Sequence, residues 1–512
     1  MADRFVAPDG KPTNAGTIEA PWALAAVLDD RAGKYAQPGD TVHLRGGTYR
    51  YPDRSNAATG FLLALNGQAG APIVVRNYGR ERATIDGGIR TRPQHLSRHY
   101  WIMGLEVKVQ EYEDGQRTTQ QAGSNPLDIP IGGGFDFMDG SDVKLINNVI
   151  HDCACGIAFW GKVERGEVYG NLVYQSGWTG PDRGHGPGIY SQNEPDSDRV
   201  YAENIFCGGL SQLNVQIYGS GSSFVDRVRY ERNISFLSPR FPRTGAVSIG
   251  SQNRASNNDN VVADNINYKS GLRILTWDKG GLRNRISGNV VWQSKLEIDA
   301  SLVAPVIENN LVWPVYTPAY LGDRTLVPPT GPRVAVYPNQ YDADRANVAV
   351  LNFTGLPSVQ IPVGTFLAAG DSYELRAADD FFGAPVLSGT YDGSGAISLP
   401  MTGEFLAGVL LADRDPCAAT RRELEQAREV QAQLSGLVIE AEDRAERLAL
   451  EVSEVRRALQ IANEQHALNT SERLELAQRV ESLDNQVSAL QSQQALMQSD
   501  LRDIGVTTDR WR

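Results

Sequence analysis

Ile146-Asn147-Asn148-Val149-Ile150 is answered at Tyr169-Gly170-Asn171-Leu172-Val173 and again at Ala202-Glu203-Asn204-Ile205-Phe206. The series runs on through Glu231-Arg232-Asn233-Ile234-Ser235, Ala263-Asp264-Asn265-Ile266-Asn267, Ser287-Gly288-Asn289-Val290-Val291 and Glu308-Asn309-Asn310-Leu311-Val312. An asparagine followed by an apolar residue returns roughly every 21 to 33 residues. Self-similarity at that interval marks a solenoid, in which each repeat buries its apolar face only against its neighbours. Apolar residues alternate inside each repeat and no helical period is present, so the coil is one of strands. The pattern predicts a parallel β-helix. Its recurrent Asn side chains would hydrogen-bond turn backbone and one another, satisfying groups otherwise stranded.

Outward from this stretch, the N-terminal part reads as the opening of the coil. Phe5 to Gly10 looks like a strand and a turn, and Trp22 to about Ala32 has the apolar spacing of a helix that could cap the open end. The start Val6-Ala7-Pro8-Asp9-Gly10, the turn from Gly16-Thr17 to Pro21-Trp22, and the run Pro38-Gly39-Asp40-Thr41-Val42-His43-Leu44-Arg45-Gly46-Gly47-Thr48-Tyr49 carry a resemblance. They resemble right-handed parallel β-helix proteins of the pectate-lyase-like superfamily, a group that includes polysaccharide lyases, glycoside hydrolases and phage tailspikes. The likeness covers about residues 4 to 314. It implies the fold and a glycan partner, but not one reaction, because the superfamily hosts several chemistries and non-catalytic members.

At 512 residues the chain is too long for a single core. The fold class expected is mainly β: a right-handed parallel β-helix with an N-terminal cap over 1–326, then a small antiparallel β-sandwich, then a long α-helical coiled coil. Residues 110 to 135 form a polar insertion that suits a binding loop. Val327 to Pro332 is a Pro-rich linker, and 333–413 holds short alternating strands with a turn at Tyr391-Asp392-Gly393-Ser394-Gly395. From Leu424 to Ile504 an apolar heptad runs without proline, giving a stalk over 420–505 and a rod of roughly 120 Å. Alone it would expose its seam, which predicts self-association, with a homotrimer favoured over a dimer. The polar group His466, Asn469 and Arg473 would fix its register, or make a pH-sensitive weak point.

A formal charge of -12 argues against a nucleic-acid partner. No stretch is long enough to span a membrane. Four cysteines make no disulfide framework, and Cys153 and Cys155 read as small apolar residues rather than metal ligands. No cofactor is expected. The acidic run Asn193 to Asp198 could hold calcium, against a solvated turn. The first residues lack an apolar signal region, so the protein is expected outside the cell, or on a virion, without a visible secretory signal.

Each Asn turn is followed by a second strand: Gly156 to Trp160, Gly188 to Gln192, Asn214 to Tyr218, Ala246 to Ile249, and Leu272 to Ile274. Period-two alternation sends Ile157, Phe159, Ile189, Val215, Ile217, Val247, Leu272 and Ile274 inward. Trp160, Tyr190, Gln192, Gln216, Tyr218, Ser248 and Arg273 then share an outer strip, where rings and amides suit a sugar chain. The entering loops gather His151, Asp152, Lys162, Asp182, Arg183, His185, Arg240, Arg243, Lys269, Asp278 and Lys279. The glycine-rich Asp182–Gly188 loop joins an acid, a cation and a titratable base. In a lyase, a cation would neutralise a uronate while His185, Lys162 or Lys269 takes the adjacent proton. In a hydrolase, Asp152 and Asp182 would flank the bond. The expected function is a virion spike that binds or cleaves bacterial surface glycans. The rivals are a secreted lyase or hydrolase and a non-enzymatic fibre component.

Overall fold

The computed structural model describes the chain except residues 1, 53–59, 94–96, 116, 130–131, 195–196, 222, 244, 253–255, 276–280, 314–328, 415–417, 466–469 and 510–512. From Phe135 to Trp313 each coil supplies three short strands, and each strand pairs in parallel with its counterpart one coil on. The first flank stacks Phe135–Ile146, Ile157–Glu164, Ile189–Ser191, Leu213–Ser220, Ala246–Gln252, Leu272–Leu275 and Leu296–Ile298. The second runs from Gly166–Tyr169 through Arg199–Ala202 to Val306–Glu308. The third runs from Val149–His151 through Leu172–Tyr174 to Leu311–Trp313. Among the described residues the third flank is a 10-stranded sheet, and the other two merge with the N-terminal strands into a 19-stranded one.

Alternation decides which side chains fill the column. Ile157, Phe159, Ile189, Val215, Val247 and Leu272 are fully buried, with Ile217 and Ile274 at 2% exposure. At the turn between the second and third flanks the asparagines stack. The Nδ2 of Asn148, Asn171, Asn204, Asn233, Asn265 and Asn289 each donates to the Oδ1 of the next, at 2.9 to 3.2 Å. Each of those Oδ1 atoms also accepts the backbone N–H of the asparagine before it. The turn that repeats through the chain is therefore also a hydrogen-bonded wire. At the N-terminal end the expected helix is shorter than its spacing suggested, Leu24–Leu28, and turns Leu24, Val27 and Leu28 into the column's core.

After the coil, Arg333–Pro338, Arg345–Leu351, Phe405–Asp413, Ser372–Ala377 and Leu387–Thr390 make a five-stranded antiparallel sheet. An antiparallel pair of Ser358–Pro362 and Ala396–Pro400 lies over one face of it, enclosing Val348, Val350, Val359, Ile361 and Leu399. The opposite face turns Ala349, Leu351, Ala407 and Val409 against Leu172, Ile205, Ile234, Ile266 and Val290 of the third flank. This body and the column form one compact unit, Met1–Asp413, and the third flank is covered. Of the segment expected to link them, Val327 to Pro332, the first two residues lie outside the described residues.

The remaining unit holds two helices, Ala418–Gln465 and Thr470–Asp509, instead of one unbroken rod. They fold back on each other. Gln494 donates to Glu442, 52 residues away, which a continuous helix would hold about 78 Å apart. Ion pairs Arg456–Asp484 and Arg479–Glu451 also straddle the break. The a and d residues Val438, Ala441, Val452 and Leu483 are buried in this pair, so part of the seam closes within a single chain. His466 and Asn469 lie outside the described residues. No helix is long and apolar enough to cross a membrane among those described.

Candidate functional site

The first flank carries a contiguous row of rings. In register, Asp136, Ala158, Tyr190, Gln216, Ser248, Arg273 and Glu297 succeed one another along the column. Trp160 and Tyr218 stand two residues farther along their strands. The Trp160 and Tyr190 rings are 5.3 Å apart and those of Tyr190 and Tyr218 6.4 Å, tilted rather than stacked. Gln192 gives its amide to Tyr190 Oη at 2.9 Å and takes the Ser223 hydroxyl at 3.1 Å, so its side chain is held in place. Arg273 reaches along the same row to Glu297 at 3.3 Å. Five of the predicted strip residues are thus brought together, with Arg273 farther along.

Two residues the sequence reading passed over hold this surface. Asp136 accepts the Trp160 indole N–H at 2.8 Å. Burial pushes its carboxyl above the ordinary value, against the opposing pull of Trp160 and Arg90. Arg199 is fully buried beneath. The pairing of Phe135–Ile146 with Ile157–Glu164 slips between Phe137 and Asp139, a bulge that frees carbonyls. Arg199 collects them, donating to the oxygens of Phe159, Trp160, Gly161 and Val163 and to Ser191 Oγ. The bulge also sets Lys162, exposed, opposite Asp139. Burial raises the Asp139 carboxyl, with Gly140 and Lys162 opposing. The signal for Asp136 was present, since Phe135-Asp136-Phe137 repeats the in-out-in pattern of Ile157-Ala158-Phe159. Nothing local marks Arg199 as buried.

The Asp182–Gly188 loop forms a second cluster. Trp178–Thr179 and Gly184–His185 pair as a small antiparallel hairpin, and Thr118 from the long insertion bridges to Thr179. His185 is 4% exposed and stacks on Trp178 at 5.1 Å. Its Nε2 meets Asp182 Oδ1 at 3.1 Å and its Nδ1 meets Ser124 Oγ at 3.5 Å. Arg183 donates to Ser124 Oγ at 3.3 Å and lies 3.5 Å from Asp182. The hydrogen bond from His185 holds the exposed Asp182 carboxyl below the usual range.

Other predicted residues are committed elsewhere. Asp152 is buried, bound to His151 Nδ1 at 2.6 Å and ion-paired with Arg117, and it makes no bond to Asp182 among the described residues. His151 Nε2 meets Glu106 at 3.0 Å, and its ring stacks on Tyr174 at 4.8 Å. Arg240 pairs with Asp380 at 2.5 Å and Lys269 lies 3.9 Å from Glu404, both toward the two-sheet body. Arg243 is exposed on its loop. Asp278 and Lys279 lie outside the described residues. Asp198 pairs with Arg227 at 2.5 Å and Asn193 Nδ2 donates to the Ser197 and Asp226 carbonyls, while Pro195 and Asp196 of that run lie outside the described residues. Cys153, Cys155 and Cys207 are free, and burial pushes the Cys155 thiol up to about 12.

No family model matches the chain. Pectate lyase PEL9 of Emericella nidulans is 38% identical over 86 residues, 17% of this chain and 18% of that protein. Pectate lyase L of Paenibacillus polymyxa is 36% identical over 112 residues, 21% of this chain and 23% of that protein. The chain thus spans about a fifth of the length of the curated relatives it matches. Of solved structures, pectate lyase Pel9A aligns at TM-score 0.40 and 14% identity over 62% of this chain and 78% of its own. The Dettilon tailspike protein aligns at 0.32 and 10% over 80% and 95%. The coil of parallel strands with its stacked turns is a parallel β-helix, and over about a fifth of its length the chain is similar to pectate lyases.

Proposed function

We propose that this protein binds an acidic polysaccharide along the Trp160–Tyr190–Tyr218 row and cleaves it by β-elimination. The observation that carries the reading is the row itself: three partly exposed rings on successive coils, flanked by held amides, on the flank the two-sheet body leaves open. Sugar C–H faces pack on such rings and their hydroxyls pair with amides. Elimination needs a cation on the uronate carboxylate, a base for the neighbouring proton and a proton for the departing oxygen. Lys162 suits the second role and the raised carboxyl of Asp136, on the neighbouring strand, the third. Arg273 lies four strands farther along the row, about 19 Å away, where it would hold the carboxylate of another uronate of the same polymer. Local identity to two pectate lyases favours elimination over hydrolysis.

Incubation with acidic polysaccharides tests this. Unsaturated product absorbing in the ultraviolet is the expected result, and new reducing ends without it would mean hydrolysis instead. Trp160→Ala should weaken binding about tenfold, a cost of about 1.4 kcal/mol, with an unchanged melting temperature. If no glycan is bound or cut, the row is an ordinary surface. The finer form of the reading makes the two-sheet body an accessory β-sandwich and the helices an oligomerisation stalk, trimeric before dimeric. It places the protein outside the cell or on a virion appendage, and co-purification with particles would test that placement.

A further inference from the structure

The cluster on the Asp182–Gly188 loop takes no part in the elimination chemistry above, yet it has an order of its own. An exposed hydroxyl, Ser124, faces a buried imidazole, His185, whose far nitrogen is held by a carboxylate, Asp182. Asp182 accepts only, so Nε2 carries the proton and the Nδ1 lone pair is turned to Ser124. The stack on Trp178 fixes the ring plane. Gly180 packs where a Cβ would lie 2.8 Å from Asp182 and 3.2 Å from His185 Nε2, so any larger residue would crowd the pair. Arg183 adds a permanent cation beside Ser124 Oγ, where it would favour the negative charge that develops on the carbonyl oxygen of an ester attacked there.

We propose that Ser124, His185 and Asp182 form a serine-esterase centre that removes carboxylic ester substituents. Ser124 Oγ attacks the ester carbonyl carbon while its proton passes to His185 Nδ1, and the oxyanion forms beside Arg183. The intermediate collapses, the C–O bond to the alcohol breaks, and His185 returns the proton to the leaving oxygen. Water then attacks the acyl-serine, with His185 again taking and returning a proton, to release the acid and restore Ser124. Ester and water become acid and alcohol, with no other reactant. Asp182 is a positioning residue. The 3.5 Å separation of Ser124 and His185 is of the loose kind that tightens when substrate binds. Only the assignment of the ester to a glycan rests on the preceding proposal.

Full-length protein with p-nitrophenyl acetate tests ester cleavage apart from any polysaccharide. Turnover above buffer is expected, together with phenylmethylsulfonyl fluoride labelling of the peptide that carries Ser124. Ser124→Ala, at an exposed position, should fold as the parent does, lose the label and slow hydrolysis by about 100-fold or more. His185→Gln should do the same. Asp182→Asn should lower kcat with KM unchanged, and Asp182→Glu should restore part of the loss. Labelling elsewhere, or Ser124→Ala as fast as the parent, overturns the assignment. So does a parent with no turnover, and none of these results bears on the ring row.

Discussion

Asn233 Oδ1 accepts both the backbone N–H and the side-chain amide of Asn204, while its own Nδ2 donates to Tyr201 O and Asn265 Oδ1. It is fully buried, so an alanine there strands several polar groups at once. At about 1 kcal/mol for each bond left unmade, Asn233→Ala should cost at least about 3 kcal/mol. Urea unfolding checks this, and a loss under about 1 kcal/mol would mean that water replaces the ladder. The ladder was legible because its asparagine recurs. The residue before it was not. Asn147, Glu203, Arg232, Asp264 and Asn309 all adopt positive φ there, a conformation easy for Gly170 and Gly288 and tolerated by Asn and Asp. Glu203 and Arg232 each bear about 1–2 kcal/mol of strain, which the stacked bonds over-determine. Local preference therefore hid the turn's geometry even where its repeat was plain.

At the scale of the strand and its neighbours, one carboxylate is closed off from water although its partner Arg82 is half exposed. Glu106, on Glu106–Lys108, has no exposed side-chain surface and meets Arg82 at 2.5 and 2.7 Å and His151 at 3.0 Å, with Thr84 donating as well. His151 passes the chain of contacts to Asp152 and Arg117. Burial alone would raise the Glu106 carboxyl, but bonds from His151, Arg82 and Thr84 outweigh it and hold it far below the usual range. A carboxyl lowered in the folded state adds stability above its unfolded pKa, about 4.3, and that stability is lost as pH falls. Unfolding by urea at pH 7 and at pH 4 should therefore show a steeper loss for the parent than for Glu106→Gln. The variant itself should be weaker at pH 7 by about 3 kcal/mol or more, the scale of a broken buried pair. Equal pH slopes would remove Glu106 from the account. The sequence put His151 and Asp152 in a catalytic loop because both precede a strand of the strip. Their commitment to Glu106 and Arg117 comes from residues far off in the chain, which no local pattern displays. The row of rings, by contrast, was legible because alternation and coil spacing alone decide which side chains share a face.

For the whole molecule, the heptad could not name the partner of its apolar stripe. An a/d stripe fits an antiparallel helix of the same chain as well as a helix of another copy. Here it meets the same chain first, as the contacts between Ala418–Gln465 and Thr470–Asp509 show. One hairpin does not finish the task. Leu434, Leu448, Leu459, Leu476 and Leu490 stay only half-buried, and Leu450, Leu474 and Leu496 are 65%, 59% and 69% exposed. Hairpins from several copies would cover this apolar surface, so sedimentation at low micromolar concentration should give a multiple of the chain mass. Leu448→Glu with Leu476→Glu should return it to monomer and leave the thermal unfolding of the β column unchanged. Under the proposed function, copies joined in this way would present several ring rows to one polymer, and such avidity exceeds single-site affinity by about 10²–10⁴-fold where geometry allows. The monomeric variant should therefore bind short oligosaccharides as well as the parent and long polymer far more weakly. A parent that sediments as a monomer would instead make the hairpin self-sufficient, and long and short chains would then bind alike.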